Sequence, residues 1–205
     1  MSKAVPFHSK EYWESRFEKE EHFEWLFDWN TLGSFLKPYL QEPILHLGCG
    51  TSTLALDLKK HGYSDVVNVD YASNVITRMR ERYPDLTWTT ADCLHDNLME
   101  KFSMRQFSVV IDKSLCDTIA CGDDDQETQL RLLARQVLSV TQPNGVWISV
   151  SFSKERKHVW PDNNDGEWQW ALERTEPIKA CQSNDNKNAP EVYNYIYVMR
   201  KVRIH

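Results

Sequence analysis

The residues best suited to chemistry lie at four points in the chain, each directly after a short apolar run. Gly48-Cys49-Gly50 closes the run Pro43-Ile44-Leu45-His46-Leu47. Two glycines one residue apart let the backbone turn sharply and approach a ligand closely where a strand gives way to a helix. The same pattern also makes a tight turn with no ligand. Thr53 stands where a dinucleotide fingerprint would place a third glycine, which weakens a dehydrogenase reading. Asp70 closes Val66-Val67-Asn68-Val69, twenty residues after Gly50. A carboxylate there can accept both hydrogen bonds of a ribose diol, as an adenosine cofactor requires, and it can also cap the helix that follows. Asp92, in Thr90-Ala91-Asp92-Cys93-Leu94, follows the third run. It can accept from the exocyclic amine of adenine or serve as an ordinary loop acid. Asp112-Lys113-Ser114-Leu115-Cys116-Asp117 follows the fourth. Lys113 can lay its stem over a cofactor with its ammonium in water, or pair at the surface with Asp112 or Asp117.

Aromatic residues crowd the N-terminal part: Tyr12, Trp13, Phe17, Phe23, Trp25, Phe27 and Trp29. Tyr12 with Arg16 and Trp13 with Phe17 are spaced four apart, so a helix over Ser9 to Glu20 carries an aromatic stripe. Trp13, Phe17, Trp25 and Trp29 either staple that helix to the body of the protein or form a lid whose ring faces attract a sulfonium or ammonium cation. The acidic run Asp123-Asp124-Asp125-Gln126-Glu127 suits a helix start and would also draw in a basic substrate segment.

These residues need a scaffold, and its elements alternate. After the first helix, a second is expected from Thr31 to Leu40, weakened in its last turn by Pro38. Strands are expected at Pro43–Leu47, Val66–Val69, Leu86–Thr90, Phe107–Ile111 and Val146–Ser151, the last entered through a turn at Pro143-Asn144-Gly145. Helices are expected at Thr51–His61, Ser73–Tyr83 and Gln126–Val140, the last with Leu130, Leu133, Val137 and Leu138 in register. Glu167–Thr175 and Val192–Val202 alternate as strands do, separated by the polar stretch from Glu176 to Glu191. Alternating strands and helices imply a mostly parallel sheet covered on both faces, and two final strands in succession imply an antiparallel edge. Ligands of such sheets bind at the carboxyl ends of the strands, where the glycine turn, Asp70, Asp92 and Asp112 all lie.

Composition narrows the classes of function. The 205 residues, 41% hydrophobic and 26% charged, suit one globular domain with an ample core. A net charge of −6 argues against a nucleic-acid backbone binder. No apolar run reaches the roughly 18 residues of a membrane span, and the start has neither an apolar signal core nor an Arg-rich transit pattern. Five cysteines (Cys49, Cys93, Cys116, Cys121 and Cys181) form no CxxC pair and no zinc-ligand spacing. Free thiols in a reducing compartment, most simply the cytoplasm, and no bound metal are therefore expected.

Several segments together carry a resemblance. They are Tyr-Trp-Glu-Ser-Arg-Phe (12–17), Glu-Trp-Leu-Phe-Asp-Trp (24–29), Ile-Leu-His-Leu-Gly-Cys-Gly-Thr-Ser (44–52), Val-Asn-Val-Asp-Tyr (67–71) and Val-Val-Ile-Asp-Lys-Ser-Leu-Cys-Asp (109–117). With them the whole chain resembles the class I S-adenosylmethionine (SAM)-dependent methyltransferases, and within these the group containing the elongation factor 1-alpha lysine methyltransferases and the citrate synthase lysine methyltransferase. The resemblance implies an α/β, single-domain, seven-stranded Rossmann-like sheet, mostly parallel with an antiparallel last strand. Residues 1–40 would form a helical and aromatic lid, and 41–205 the catalytic core. It implies SAM as cofactor, with S-adenosylhomocysteine as product. Gly48 would lie by the methionine portion, with Gly50 also in the cofactor site, Asp70 and Tyr71 by the ribose and adenine, and Asp92 and Cys93 at the adenine edge. Trp13, Phe17, Trp25 and Lys113 would close over it. Two departures stand out: Phe17 replaces a frequent Tyr, and Ser114-Leu115-Cys116 replaces the usual Gly-Thr-Leu where a substrate would enter.

The chemistry expected is in-line methyl transfer, with Asp112, Lys113 and Asp117 as the candidate catalytic residues. A lysine amine must arrive unprotonated, which an apolar lid and an acid such as Asp117 would assist. No Asn-Pro-Pro-Tyr segment is present, against amide or nucleobase nitrogen targets. The leading expectation is a monomeric protein-lysine methyltransferase acting on an elongation factor or another cytosolic protein, with no nucleic-acid or membrane partner. The alternatives are a small-molecule N-, S- or O-methyltransferase and a non-catalytic SAM-binding module.

Overall fold

The computed structural model describes residues 5–122, 125–156, 165–180 and 191–204. Asp123 and Asp124 of the acidic run, Cys181 and positions 181–190 of the polar stretch lie outside the described residues. Helix α1 (Lys10–Lys19) starts where the Ser9 side chain accepts from the Tyr12 amide, the expected cap. Helix α2 spans Trp29–Leu36, shifted from the expected Thr31–Leu40. Asp28 caps it by accepting from the Thr31 amide, and Pro38 stops it sooner than expected.

Among the described residues seven strands follow: β1 (Ile44–Leu47), β2 (Val66–Asp70), β3 (Thr87–Thr90), β4 (Phe107–Lys113), β5 (Thr141–Ser151), β6 (Trp168–Lys179) and β7 (Tyr193–Arg203). Between them lie α3 (Leu54–Lys60), α4 (Ser73–Arg82), α5 (Leu98–Lys101), α6 (Leu115–Ile119) and α7 (Gln126–Val140). The short α5 and α6 are additions to the expected set. They span one turn and little more, too little for apolar periodicity to register. The strands form one sheet in the order β3-β2-β1-β4-β5-β7-β6. β1 to β5 are parallel, and β7 runs antiparallel between β5 and β6, so the sheet is the seven-stranded α/β arrangement expected.

The expected turn at Pro143-Asn144-Gly145 is instead part of β5. Its register against β4 jumps from Phe107↔Thr141 to Val109↔Val146, a bulge that absorbs the extra residues, with Asn144 at φ +62°. Successive strand residues face opposite sides. Leu45, Leu47, Val67, Val69 and Val110 pack on one face with Leu130, Leu133 and Val137 of α7. Ile44, Val66, Val109 and Ile111 pack on the other with Leu32 and Leu36 of α2 and Leu54 and Leu58 of α3. Burial of this double-faced sheet holds the carboxyl ends of β1 to β4 rigidly side by side.

Candidate active site

Those carboxyl ends open into a cavity of ≈ 390 Å³, the size range of small-molecule sites. Its floor is the Gly48-Cys49-Gly50 loop, with Gly48 at φ +60° and Gly50 at φ +47°. A Cβ added at Gly48 would lie 3.2 Å from the Leu115 side chain, and one at Gly50 would lie 3.3 Å from Phe17. Positive φ makes a side chain strained at both positions, and a Cβ would press on Leu115 or Phe17. Asp70, at the end of β2, accepts from the Gly50 amide at 2.9 Å and from the Ala72 amide at 2.9 Å. Its carboxylate thus ties the loop to the head of α4. Burial pushes its pKa up to about 6, against those amide donors. Asp92 follows β3 and accepts from the amides of Leu94 and His95, at 2.9 and 3.2 Å. Burial opposes its charge, yet these bonds and His95 hold its pKa below the ordinary carboxylate range. Burial pushes the neighbouring Cys93 thiol and the Tyr71 hydroxyl up.

The roof is aromatic. Trp13 donates its indole N–H to the Phe7 carbonyl at 2.6 Å and stacks near Phe17 and Trp25, with ring centroids 5.5 and 5.9 Å away. Trp13 and Phe17 also pack on Val75, Ile76 and Met79 of α4 and on Trp88 of β3, so they staple α1 to the body. Phe23, 43% exposed, covers the opening, and the half-buried Trp25 does so while packing on the edge of that cluster. The aromatic segment is both staple and cover, divided by residue. Arg16 lays its guanidinium over Trp13, Phe23 and Trp25, 5.0–5.5 Å from each ring centre, and pairs with Glu20 at 2.6 Å.

All ten residues expected to hold a cofactor (Trp13, Phe17, Trp25, Gly48, Gly50, Asp70, Tyr71, Asp92, Cys93 and Lys113) border this cavity. Of the three expected to act in catalysis, only Lys113 does. Asp112 is fully buried, accepts from the Trp147 indole N–H at 2.7 Å, and is pushed up to about 7 by burial. Asp117 is held by the Ser151 hydroxyl, the Phe152 amide at 3.0 Å and Arg156 at 3.2 Å. Neither borders the cavity, because strand alternation turns Asp112 away from Lys113 and α6 carries Asp117 against β5. Lys113 also differs from expectation. Its ammonium is buried rather than wet, paired with Glu24 rather than Asp112 or Asp117, and it donates to the Trp25 carbonyl at 2.8 Å. Burial works against the Glu24 charge, but the Lys113 ammonium holds its pKa below the ordinary range.

Two residues escaped sequence reasoning: Glu24, which holds the cover from behind, and His46, which borders the cavity. Glu24 also accepts from the Ser52 hydroxyl at 2.7 Å and the Thr53 amide at 2.9 Å, so it joins the aromatic segment to the residues after the glycine loop. A lone carboxylate between Phe23 and Trp25 was its only signal. His46 faces the cavity from the middle of β1; an imidazole inside an otherwise apolar strand was the clue.

A family profile described as a methyltransferase domain matches residues 44–145. The chain is 32% identical over 206 residues to methyltransferase srdJ of Neurospora crassa, spanning 95% of this chain and 84% of that protein. It is 32% identical over 158 residues to the human eEF1A lysine and N-terminal methyltransferase, covering 72% of this chain but 22% of that one. It is 31% identical over 156 residues to the bovine EEF1A lysine methyltransferase 4, covering 69% of this chain and 60% of that one. The chain thus spans about a fifth of the first eEF1A enzyme and less than two thirds of the second. Among solved structures, the N-methyltransferase NodS from Bradyrhizobium japonicum, in complex with S-adenosyl-L-homocysteine, superposes with TM-score 0.61 at 15% identity, covering 96% of this chain and 98% of that one. A structure from work on the conversion of a disulfide bond into a thioacetal group during echinomycin biosynthesis superposes with TM-score 0.67 at 18% identity, covering 94% and 91%. These two likenesses speak to the fold.

The chain belongs to the SAM-dependent methyltransferases. It is an enzyme of that class with SAM as its cofactor. The glycine cradle, which any Cβ would crowd, fits a ligand that approaches backbone closely.

Proposed function

We propose that the enzyme methylates a lysine of a protein substrate, with translation elongation factor 1-alpha the first candidate. The observation that carries this reading is the extended match, at 31–32% identity, to relatives named as eEF1A lysine methyltransferases. The geometry is consistent with it. Bound SAM supplies an electrophilic methyl on a sulfonium. Gly48 and Gly50 would lie against its methionine portion, Asp70 with Tyr71 against the ribose and adenine, and Asp92 with Cys93 at the adenine edge. Trp13, Phe17 and Trp25 would cover it, and Lys113 anchors that cover through Glu24. Leu115 and Ile119 of α6, with Phe7, make part of the remaining wall apolar. An apolar wall disfavours an ammonium and so favours the neutral amine that can attack. Asp112 and Asp117 serve the frame under α6. The residues at the cavity thus contribute alignment and a dry site, and alignment of this kind is worth about 7–11 kcal/mol.

The test is to incubate the purified protein with tritiated SAM, first with recombinant elongation factor 1-alpha and then with an extract lacking the enzyme. Label on a lysine of the elongation factor is the expected result. A discrete labelled band of another protein would keep protein methylation and replace the substrate. Label confined to small molecules would overturn the reading in favour of a small acceptor. No label, with S-adenosylhomocysteine binding intact, would favour a non-catalytic module.

A further inference from the structure

A lysine is an ammonium near neutral pH, so it must give up a proton before its nitrogen can attack. Asp117, the acid expected to assist, is enclosed by Ser151, Phe152 and Arg156 and does not border the cavity. The titratable groups that do border it divide by chemistry. Burial keeps the Cys49 and Cys93 thiols and the Tyr71 hydroxyl protonated. Lys113 is a cation already paired with Glu24, and Glu20 is paired with Arg16 at 2.6 Å. Asp70 and Asp92 are held by backbone amides, and His95 is engaged by Asp92 at 3.0 Å. His46 is 1% exposed, and burial pushes its pKa down to about 4, so it holds no proton at neutral pH. Among the described residues, His8 is the group that remains.

His8 also stands on the acceptor side. Its Cβ lies 3.7 Å from the position a Cβ on Gly122 would take, which puts it against the turn directly after α6. Leu115, Thr118 and Ile119 of that helix border the cavity. In the strand order β3-β2-β1-β4, α6 follows β4 and so lies away from Asp92 and His95. The backbone is pinned on both sides of His8. The Phe7 carbonyl accepts from the Trp13 indole at 2.6 Å, and the Ser9 side chain caps α1. The imidazole is exposed, borders the cavity, and has no hydrogen bond or ion pair among the described residues. A ring on a fixed backbone, open both to the cavity and to water, meets the needs of a proton relay.

We propose that His8 is the general base for the methyl acceptor, taking a proton from the substrate ammonium on a ring nitrogen and passing it to water. The freed lone pair then forms the N–C bond to the methyl carbon, while the C–S electron pair leaves with the sulfur as a neutral thioether. The inference rests on the lysine reading given above and deepens it.

The first test needs no identified substrate. An S-adenosylhomocysteine analogue with nitrogen in place of sulfur, carrying an aminopropyl arm, puts a primary ammonium on the acceptor side; a butyl arm is its apolar match. The ¹⁵N resonances of the His8 ring should move with the aminopropyl analogue and stay in place with the butyl one. Calorimetric titration should show His8→Ala weakening the aminopropyl analogue about 10-fold and the butyl one by less than about twofold. A ring that responds alike to both analogues, or equal weakening of both, would overturn the proposal. In methyl transfer from tritiated SAM to elongation factor 1-alpha, His8→Ala and His8→Gln should each lower kcat about 100-fold, with KM for SAM within about twofold. Glutamine accepts a hydrogen bond but holds no proton, so an unchanged kcat in His8→Gln would also overturn the proposal. Absence of label on any protein would undo the lysine reading itself, while the two analogues would still decide whether His8 meets an amine.

Discussion

Lys113 at the end of β4 and Glu24 between α1 and α2 form a buried ion pair, with side chains 3% and 16% exposed. It ties the N-terminal aromatic segment to the centre of the sheet. Through Ser52 and Thr53 the same carboxylate reaches the residues after the glycine loop. Removing one partner of a buried pair leaves the other charge uncompensated, which costs about 3–5 kcal/mol. Glu24→Gln and Lys113→Met should each lower stability on that scale in urea unfolding. The double variant should recover much of the loss, because two neutral groups no longer demand solvation. Additive losses in the double-mutant cycle would show that the pair is not a unit.

Asp70 sets a pH dependence. Its pKa is raised to about 6 by burial, and its charged form is the one able to accept from two ribose hydroxyls. Affinity for S-adenosylhomocysteine should rise with pH through about 6 and then level. The sign for the ligand-free fold is opposite. A carboxylate with a raised folded-state pKa contributes stability that is present at low pH and lost as pH rises through about 6. Asp70→Asn should flatten the affinity profile and lower affinity at pH 8 by about 10- to 100-fold. A calorimetric titration series from pH 5 to 8 checks both, and a profile unchanged by the substitution would remove Asp70 from the ribose site.

Much of the frame was legible because its signals are periodic. The 15 residues of α7 matched their apolar spacing without adjustment, and the alternating β6 and β7 paired as an antiparallel edge. The carboxyl-end rule placed Gly48, Asp70 and Asp92 together for the same reason. What the sequence could not show were contacts made by direction rather than by period. Lys113 and Asp112 are adjacent in sequence, yet strand alternation turns one to the cavity and the other to Trp147. Glu24 pairs with Lys113 across 89 positions of sequence, which no local pattern encodes. His46 read as part of an apolar run, and only its unpartnered nitrogen sets it apart.

Ser114 is a position where sequence and backbone disagree. It starts α6 in the left-handed region, at φ +66° and ψ 2°, with no side-chain cap bond. An L-residue pays about 1–2 kcal/mol for that conformation, and glycine avoids it at some cost in unfolded-state entropy. Its hydroxyl gains little in return, with Asp117 3.4 Å away. Ser114→Gly should therefore stabilise the protein by up to about 1 kcal/mol, a Tm rise of about 2–4 °C by calorimetry. A fall in Tm would mean the hydroxyl contact outweighs the backbone strain.

The division of the aromatic segment into staple and cover separates two substitutions in one prediction. Trp13 is 7% exposed and packs on α4 and β3, so Trp13→Ala opens a cavity in the core and should cost about 3–5 kcal/mol of stability. Phe23 is 43% exposed, with its ring 5.0 Å from Trp25 and the Arg16 guanidinium 5.1 Å from its centre. Phe23→Ala removes part of the roof without touching that core, so the ligand-free Tm should change by less than about 2 °C. Affinity for SAM should nonetheless fall, because a sulfonium loses an aromatic neighbour worth about 0.5–2 kcal/mol. S-adenosylhomocysteine carries no such charge and should lose less than SAM. Equal losses for the two ligands would mean that Phe23 acts by excluding water rather than by facing the cation.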